Sequence, residues 1–567
     1  MSTLMTPTTR ATAANGNGLS QIQKQIMWNR LISVVEEQAQ TLLRTAFSTI
    51  VREAGDLSAG VFDLKGRMLA QAVTGTPGHV NSMAESVKHF IRHFPLDTMR
   101  EGDVYICNDP WMGTGHLNDF VLTTPCFRRG KLVALFSCTS HLMDIGGIGF
   151  GPDGFDVFME GLYIPMLKLA DAGTMNATLL AMIRANTRLP VDTIGDVYSL
   201  ANCNEIGCRR LVEMMDEFGL DDLEGLGEYI CRHSERAVRE EIARLPKGSW
   251  RYEMTLDGYD EPIALVATTT VSDSGIHVDY TGTSGVARRG INVPIAYTTA
   301  YTCFGLACVV AARVPNNAGS LAPLTVSAPA PSILNAPYPL PVLSRHVIGQ
   351  MLPDMVFGCL RQAVPARVPA EGTSCLWNIV FRGPRAKGDT TRYGFAMTMT
   401  SNGGTGARAM KDGLSATAFP SGVKGTPVEI AEATSPVLFW RKELRPNSGG
   451  AGRTRGGMGQ MIEIESTREL PFEIAAAFDR IRFPPRGRDG GGNGASGYVG
   501  LASGAALRGK GIQMVPAGDR LIVLTPGGGG FGHPASRDRA AVQADLEAEL
   551  ISPAAAREVY GLVGATG

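Results

Sequence analysis

The sequence has no excess of charge of either sign and no clear membrane span. Its 567 residues include 53 Lys and Arg against 54 Asp and Glu, so there is no broad field to attract nucleic acid or an anionic membrane. The most apolar stretch, residues 296–314, is about long enough to cross a bilayer, but its threonines and its isolation favour a buried core helix. We therefore expect the partner to be a small molecule or another protein.

The cysteines lack the spacing of a zinc ribbon or of a disulfide framework. Ten of them are scattered along the chain, and no two form a C-x-x-C pair. The first 18 residues lack the apolar core of a secretory signal, and we expect them to form a flexible tail. Reduced thiols without a signal or a membrane span predict a cytoplasmic protein.

Glycine, in contrast, is abundant, with 68 residues, well above the usual ~7% share. Many lie in the last third of the chain, where the longest run is PGGGGFG at 526–532. This run is consistent with a phosphate-binding nest or with a tight turn at positive φ. It lacks the Lys-Ser/Thr of a P-loop and the setting of a dinucleotide fingerprint. The pattern therefore favours a turn in a β-rich region.

Hydrophobic periodicity predicts helices and strands that occur in separate groups. It places helices over 20–53 and within 205–245, and hairpins that turn at 65–66 and at 272–275. Strands that cluster and then give way to helices indicate an α+β fold with mixed, mainly antiparallel sheets and interleaved helical subdomains. We expect four segments: a tail (1–18), an N-terminal helix with a metal-site α/β region (19–247), a central α+β region (248–440), and a Gly-rich β region with a C-terminal helix (441–567).

Two short motifs concentrate metal-ligating residues. DPWMGTGHLNDF at 109–120 places His116 three residues before Asp119, a spacing that projects both side chains the same way on a helix or tight turn. SHLMDIGG at 140–147 places His141 and Asp144 at the end of an apolar strand. Two imidazoles and a carboxylate from separate strand ends suit a catalytic zinc or manganese site. The spacing alone equally allows histidines that only hydrogen-bond the loop backbone.

Other motifs offer weaker alternatives. His89 and His93 have the i, i+4 spacing of helical zinc motifs, but the glutamate of H-E-x-x-H is missing, and an exposed basic helix face explains them. No G-x-S-x-G nucleophile elbow is present. Cys107 and Cys138 lie beside the histidine motifs, where buried structural thiols are commoner than nucleophiles.

The motifs together identify a family resemblance. The chain resembles the hydantoinase B/oxoprolinase family through REAGDLSAGVFDLKGRMLAQ, NDPWMGTGHLNDF, SHLMDIGG, EGLYIPMLKL, NTRLPVDTIGD, DYTGTSG, RPNSGGAGRTRGGMG and TPGGGGFGHP, in family order from about residue 25 to residue 562. That family includes one subunit of ATP-dependent hydantoinases, 5-oxoprolinases and caprolactamases, and of acetone and acetophenone carboxylases.

The resemblance implies a set of site residues. It implies a zinc or manganese ion held by His116, Asp119, His141 and Asp56, with Gly113 and Gly115 allowing close approach of the loop backbone. Asp109 is expected to orient a ligand through a hydrogen bond. For proton transfer we expect His79, in TPGHVNS, and Asp144 to be the catalytic residues.

The resemblance also implies a division of labour between two subunits. A separate hydantoinase A-type subunit would use ATP and Mg²⁺ to phosphorylate an amide or enol oxygen, which agrees with the absence of a Walker motif here. This chain would then open a cyclic amide such as hydantoin, 5-oxoproline or a lactam by metal-activated water. A ketone carboxylase subunit that stabilises an enolate at the metal is the alternative, and a catalytically silent scaffold is a third.

Two positions depart from the pattern that the resemblance implies. Leu142 replaces the second of two adjacent histidines, and Asn447 stands where an aspartate is usual. Neither change removes an expected metal ligand. Both leave the identity of the substrate open.

Overall fold

The computed structural model describes residues 20–390 and 394–562. The tail predicted at 1–18 lies outside these residues. Within them, none of the helices is long and apolar enough to cross a membrane. The helices are α1 (Gln21–Thr45), α2 (Thr49–Arg52), α3 (Pro77–His93), α4 (Ala177–Asn186), α5 (Pro190–Phe218), α6 (Glu224–Ala243), α7 (Ile295–Val310), α8 (Ala318–Leu321), α9 (His346–Gly349), α10 (Leu352–Leu360), α11 (Val428–Thr434), α12 (Arg539–Glu547) and α13 (Pro553–Glu558).

The strands form four sheets, and the predicted α+β fold with mainly antiparallel pairing is confirmed. The sheet orders are β2-β1-β5-β4-β3-β6-β7, β11-β10-β9-β8, β13-β12-β16-β18 and β14-β15-β19-β17, and β10 with β11 is a parallel pair. The strands are β1 (Leu57–Phe62), β2 (Met68–Gln71), β3 (Val104–Cys107), β4 (Asp119–Arg128), β5 (Lys131–His141), β6 (Leu167–Asp171), β7 (Thr174–Met175), β8 (Gly248–Leu256), β9 (Ile263–Val271), β10 (Ile276–Asp279), β11 (Leu324–Ser327), β12 (Trp377–Gly383), β13 (Phe395–Ser401), β14 (Val437–Leu444), β15 (Gln460–Ser466), β16 (Phe472–Ala477), β17 (Tyr498–Leu501), β18 (Lys510–Val515) and β19 (Arg520–Leu524).

The N-terminal helical region predicted over 20–53 is divided into α1 and α2 by a specific contact. Ser20 and Gln23 form a capping box at the start of α1. After α1 ends, the backbone N–H groups of Phe47 and Ser48 donate to the carboxylate of Asp196 at 2.7 and 3.2 Å. Asp196 belongs to α5, which packs against α1. These two hydrogen bonds therefore attach the break between α1 and α2 to α5.

The glycine-rich segments pack against one another as backbone. Gly528 donates its N–H to the carbonyl of Gly457 at 2.9 Å, and its own carbonyl accepts from Gly450 at 2.8 Å. A Cβ at Gly528 would lie 1.9 Å from the carbonyl oxygen of Thr405. The predicted turn at positive φ is wrong for 527–530, since none of these four residues has a positive φ. Their N–H groups donate to backbone carbonyls, so this run is not an anion nest either.

The predicted helix near residue 300 is confirmed as a core helix, α7, which packs against α3 and α10. One hydrophobic core joins it to strands on both sides of the predicted boundary near residue 440. The sheet β13-β12-β16-β18 likewise contains strands from before and after that boundary. The division of residues 19–567 into three segments after the tail stays a prediction, and the shared sheet joins the last two of them.

Candidate metal centre

One edge of the seven-stranded sheet collects three of the predicted site residues. Asp119 is the first residue of β4 and His141 is the last residue of β5, and the strand register places them directly opposite each other. Opposed residues of an antiparallel pair have neighbouring side chains on the same face. The backbone N–H of His141 also donates to the carbonyl of Asp56 at 3.2 Å, so the segment before β1 ends at the same place.

His116 completes a compact group from the loop between β3 and β4. The ligand atoms of His116, Asp119 and His141 all lie within 4.8 Å of one another, and all three residues are buried. The distances to Oδ1 of Asp119 are 2.6 Å from Nε2 of His116 and 3.3 Å from Nδ1 of His141. Across residues 20–390 and 394–562, no second group of this kind is found, so the competing pair His89 and His93 does not belong to one.

The protonation state of His116 makes this group suited to bind a divalent cation. Its Nδ1 donates to the carbonyl oxygen of Leu343 at 2.9 Å. Burial, reinforced by Arg345, lowers the pKa of His116 to about 3, so Nε2 carries a lone pair rather than a second proton. That lone pair has no hydrogen-bond partner and faces the carboxylate of Asp119. Two electron-rich atoms this close repel unless a cation lies beside both, which is the situation in a zinc or manganese site.

His79 lies between the two predicted carboxylate ligands. It belongs to the first turn of α3, and its Nε2 is 3.0 Å from Oδ2 of Asp119 while its Nδ1 is 3.5 Å from Oδ1 of Asp56. Burial alone would lower the pKa of His79, but attraction to the two carboxylates outweighs burial and raises it. Asp56 also accepts a hydrogen bond from the hydroxyl of Thr76 at 3.1 Å. His79 is therefore a protonatable group that lies against both carboxylates.

Arg345 is a site residue that the sequence analysis missed. Its Nη2 lies 2.6 Å from Oδ2 of Asp119, and its Nε donates to the carbonyl of Thr114 at 2.7 Å. Its guanidinium carbon lies 4.0 Å from the ring centroid of Tyr297. A Cβ on Gly115 would lie 2.7 Å from Cδ of Arg345. The glycine that was expected to bring the loop near metal and substrate therefore makes room for this arginine.

The charge of Asp119 is stabilised although its side chain is fully buried. Burial alone would raise its pKa, but the neighbouring His79 and Arg345 oppose burial, and the pKa lies well below its usual range. Asp119 is therefore an ionised carboxylate near neutral pH. This is the protonation state that a metal ligand requires.

Glu160 fixes the acceptor that orients His116. Its Oε1 accepts hydrogen bonds from the backbone N–H groups of Val342 and Leu343 at 2.7 and 2.9 Å. Leu343 in turn supplies the carbonyl that receives the proton of His116. Burial raises the pKa of Glu160 to about 8. The EGLYIPMLKL motif therefore contributes to the centre through a chain of two hydrogen bonds, a role that its sequence does not signal.

A small cavity opens beside the group. The predicted ligands His116, His141 and Asp56 line it together with His79, and Asn378 and His346 line it from the central segment. Its volume is about 20 Å³, enough for little more than one water molecule. A ring-sized molecule therefore enters this cavity only when lining side chains or their loops move.

Most of this chain matches the model of one protein family. The family model described as hydantoinase B/oxoprolinase matches residues 20–534. The chain belongs to the hydantoinase B/oxoprolinase family. The resemblance inferred from the motifs is thereby confirmed over most of the sequence.

Two relatives and two solved structures are similar to this chain. A caprolactamase subunit beta of Pseudomonas jessenii is 28% identical over 96% of this chain and 97% of its own, and 5-oxoprolinase 1 of Arabidopsis thaliana is 30% identical over 93% of this chain and 43% of its own. The crystal structure of the ATP-dependent caprolactamase from Pseudomonas jessenii superposes with a TM-score of 0.88, at 26% identity over 97% of this chain and 98% of that chain. Nucleotide-free acetone carboxylase shares the fold, with a TM-score of 0.83 at 19% identity over 96% and 79% of the two chains.

Two of the predicted site residues, Asp109 and Asp144, make their contacts away from His116, Asp119 and His141. Asp109 accepts from the backbone N–H groups of Trp111 and Met112 at 2.8 and 3.2 Å and from the hydroxyl of Tyr163, so it shapes its own loop. Asp144 forms an ion pair with Arg188 and also accepts from the hydroxyl of Thr187 at 2.9 Å and the backbone N–H of Gly146 at 3.1 Å. Neither carboxylate hydrogen-bonds to the three grouped residues. The roles expected for Asp109 and Asp144 stay predictions.

Proposed function

We propose that this chain is the metal-binding subunit of an ATP-dependent enzyme that opens cyclic amides. The observation that carries the proposal is the buried group of His116, Asp119 and His141, in which a lone pair faces a carboxylate. Family membership supplies the chemical class, since caprolactam and 5-oxoproline, named in the relatives, are both cyclic amides. Activation of the substrate by ATP and Mg²⁺ is assigned to a separate A-type subunit.

His116, Asp119 and His141 would hold the divalent metal, zinc or manganese, and Asp56 is the fourth ligand that we propose. When bound, such an ion supplies Lewis-acid polarisation and activates water near neutral pH. Positioning and proton transfer are the work of the chain's own residues. Arg345 keeps Asp119 ionised and fixed in direction.

His79 is the proton carrier in this proposal. Breaking the C–N bond leaves a ring nitrogen that needs a proton, and His79 lines the cavity with its pKa raised by the two carboxylates that flank it. Asp144 was the second candidate, but its carboxylate is engaged by Arg188 and by loop N–H groups. We therefore favour His79.

The test is ATP-dependent turnover by the chain copurified with its A-type partner. The substrates are hydantoin, 5-oxoproline, ε-caprolactam and acetophenone, each with and without bicarbonate. Opening of a cyclic amide without bicarbonate supports the proposal. A product from the ketone only with bicarbonate supports a carboxylase instead. Turnover that survives His141→Ala indicates a scaffold without a working metal centre.

A further inference from the structure

Four residues that line the cavity carry a buried polar atom with no hydrogen-bond partner within the protein. Nδ1 of His79 and Nε2 of His116 face the carboxylates of Asp56 and Asp119. The other two atoms are Nε2 of His346 and Oδ1 of Asn378. His346 is 4% exposed and Asn378 is 8% exposed. Nearly all buried polar atoms in folded proteins have a hydrogen-bond partner, so two orphans in one cavity indicate a missing ligand.

Packing holds the His346 ring close to the histidine group. Its ring stacks on Phe150, with centroids 5.8 Å apart and an interplanar angle of 19°. Phe150 in turn presents its ring edge-on to His141 at 4.9 Å and to His116 at 6.0 Å. A single aromatic ring therefore contacts both grouped histidines and His346.

Asn378 is held in place by a sheet rather than by a loop. It is the second residue of β12, which pairs with β13 and β16, and its Cα partner in β13 is Thr400. A buried strand between two neighbours positions a side chain with little freedom. Arg345, adjacent in sequence to His346, is bonded to Asp119. The ion pair between Arg345 and Asp119 therefore also restrains the backbone next to His346.

The two orphan atoms match the two polar atoms of a cyclic amide. In a small lactam or imide ring the N–H and the oxygen on the amide carbon lie side by side, one a donor and the other an acceptor. Oδ1 of Asn378 is an acceptor, and a neutral imidazole nitrogen is able to donate. We propose that His346 and Asn378 form the subsite that binds the amide edge of the ring, with Asn378 accepting from the N–H of the amide, or of the activated ring once its nitrogen is protonated, and His346 donating to the oxygen on the amide carbon. This inference rests on the proposed function, because it deepens the choice of substrate class.

The experiment measures binding directly by isothermal titration calorimetry, with hydantoin, 5-oxoproline and ε-caprolactam titrated into the full-length, zinc-loaded chain. We expect His346→Phe and Asn378→Leu each to weaken binding of the best of these ligands about 3- to 10-fold, the usual loss for one neutral hydrogen bond. His346→Gln and Asn378→Asp keep a donor and an acceptor and are expected to stay within about 3-fold of wild type. Zinc content should be unchanged in all four variants.

Ser401→Ala is the matched control. Ser401 lies on β13, opposite Trp377 at the start of β12, and its buried hydroxyl also has no partner. It does not line the cavity. Its removal is expected to leave ligand binding unchanged, which separates loss of the subsite from a general disturbance of these strands.

A measurement on the wild-type chain covers the case in which a variant fails to fold. N-methyl-caprolactam lacks the N–H, so it should bind about 10-fold more weakly than ε-caprolactam. The subsite is overturned if wild type binds none of the three amides, if it does not distinguish the N-methyl compound, or if both apolar variants bind like wild type. If amides bind through these residues but are never turned over, the hydrolase proposal is contradicted and the subsite is supported.

Discussion

Replacing Arg345 with methionine tests the electrostatic basis of the site. Methionine keeps much of the length of the side chain but removes the charge that lies 2.6 Å from Oδ2 of Asp119. Both side chains are at most 2% exposed, so the carboxylate loses a permanent counter-charge without gaining water. Removing one partner of a buried ion pair costs about 3–5 kcal/mol. We expect the free energy of unfolding of the metal-free chain to fall by this amount.

Metal should reduce this loss, because a cation beside Asp119 supplies the missing charge. The assay is urea unfolding of wild type and Arg345→Met, each with EDTA and with excess zinc. We expect the difference between the two proteins to be smaller with zinc by at least about 1 kcal/mol, the scale of one charged hydrogen bond. The part of the zinc-binding energy that both proteins share cancels, so the gap shrinks only by the amount by which zinc stabilises Arg345→Met more than it stabilises wild type.

Arg480→Met is the matched control for this experiment. Arg480 is also a fully buried arginine, with Nη1 3.0 Å from Oε2 of Glu371, and it is not part of the cavity. Its loss should destabilise the chain equally with and without zinc. The reasoning is refuted if Arg345→Met loses less than about 1 kcal/mol, or if zinc changes the two arginine variants alike.

Three further outcomes are expected. His141→Ala should copurify with almost no zinc or manganese by elemental analysis, whereas His89→Ala should keep it; equal metal content in both would contradict the ligand assignment. Gly528→Ala should destabilise the chain by about 3 kcal/mol in thermal or urea unfolding, because its Cβ meets a carbonyl oxygen at 1.9 Å, whereas Gly285→Ala, with open space around it, should have little effect. Burial alone would raise the pKa of Glu371, but nearby arginines outweigh it and lower the pKa to about 2; the stability that this carboxylate contributes is therefore full above its unfolded value of ~4.3 and is lost as pH falls towards 2. The stability gap between wild type and Glu371→Gln should shrink over that range, and a constant gap would contradict the assignment.

Local pattern was sufficient for much of the secondary structure. The hairpins at 65–66 and 272–275 and the core helix near residue 300 follow from residue spacing and turn residues, and all three are present. The glycines at 527–530 were misjudged for a physical reason, whereas Gly532 in the same run does have a positive φ. Glycine is used both where φ is positive and where another backbone segment approaches closely. The sequence of one segment does not show which distant carbonyls pack against it.

The ligand group was predictable because its members lie in two short motifs. His116 and Asp119 are three residues apart, and His141 ends the strand that pairs with the one that Asp119 begins. The residues that complete the centre carry no such signal. Arg345 and His346 meet this edge of the sheet from more than 200 residues away, and Glu160 acts through the backbone of Leu343.

The sequence by itself determined the family, the α+β class and the residues able to hold a metal, because residue type, spacing and hydrophobic period are local properties. Only the tertiary structure decided which of these residues meet, which acid lies beside the histidines and which buried atoms lack a partner. Those outcomes depend on long-range strand register and burial. Asp144 and Asp119 look alike in a motif and each pairs with an arginine, but the fold places three histidines against Asp119.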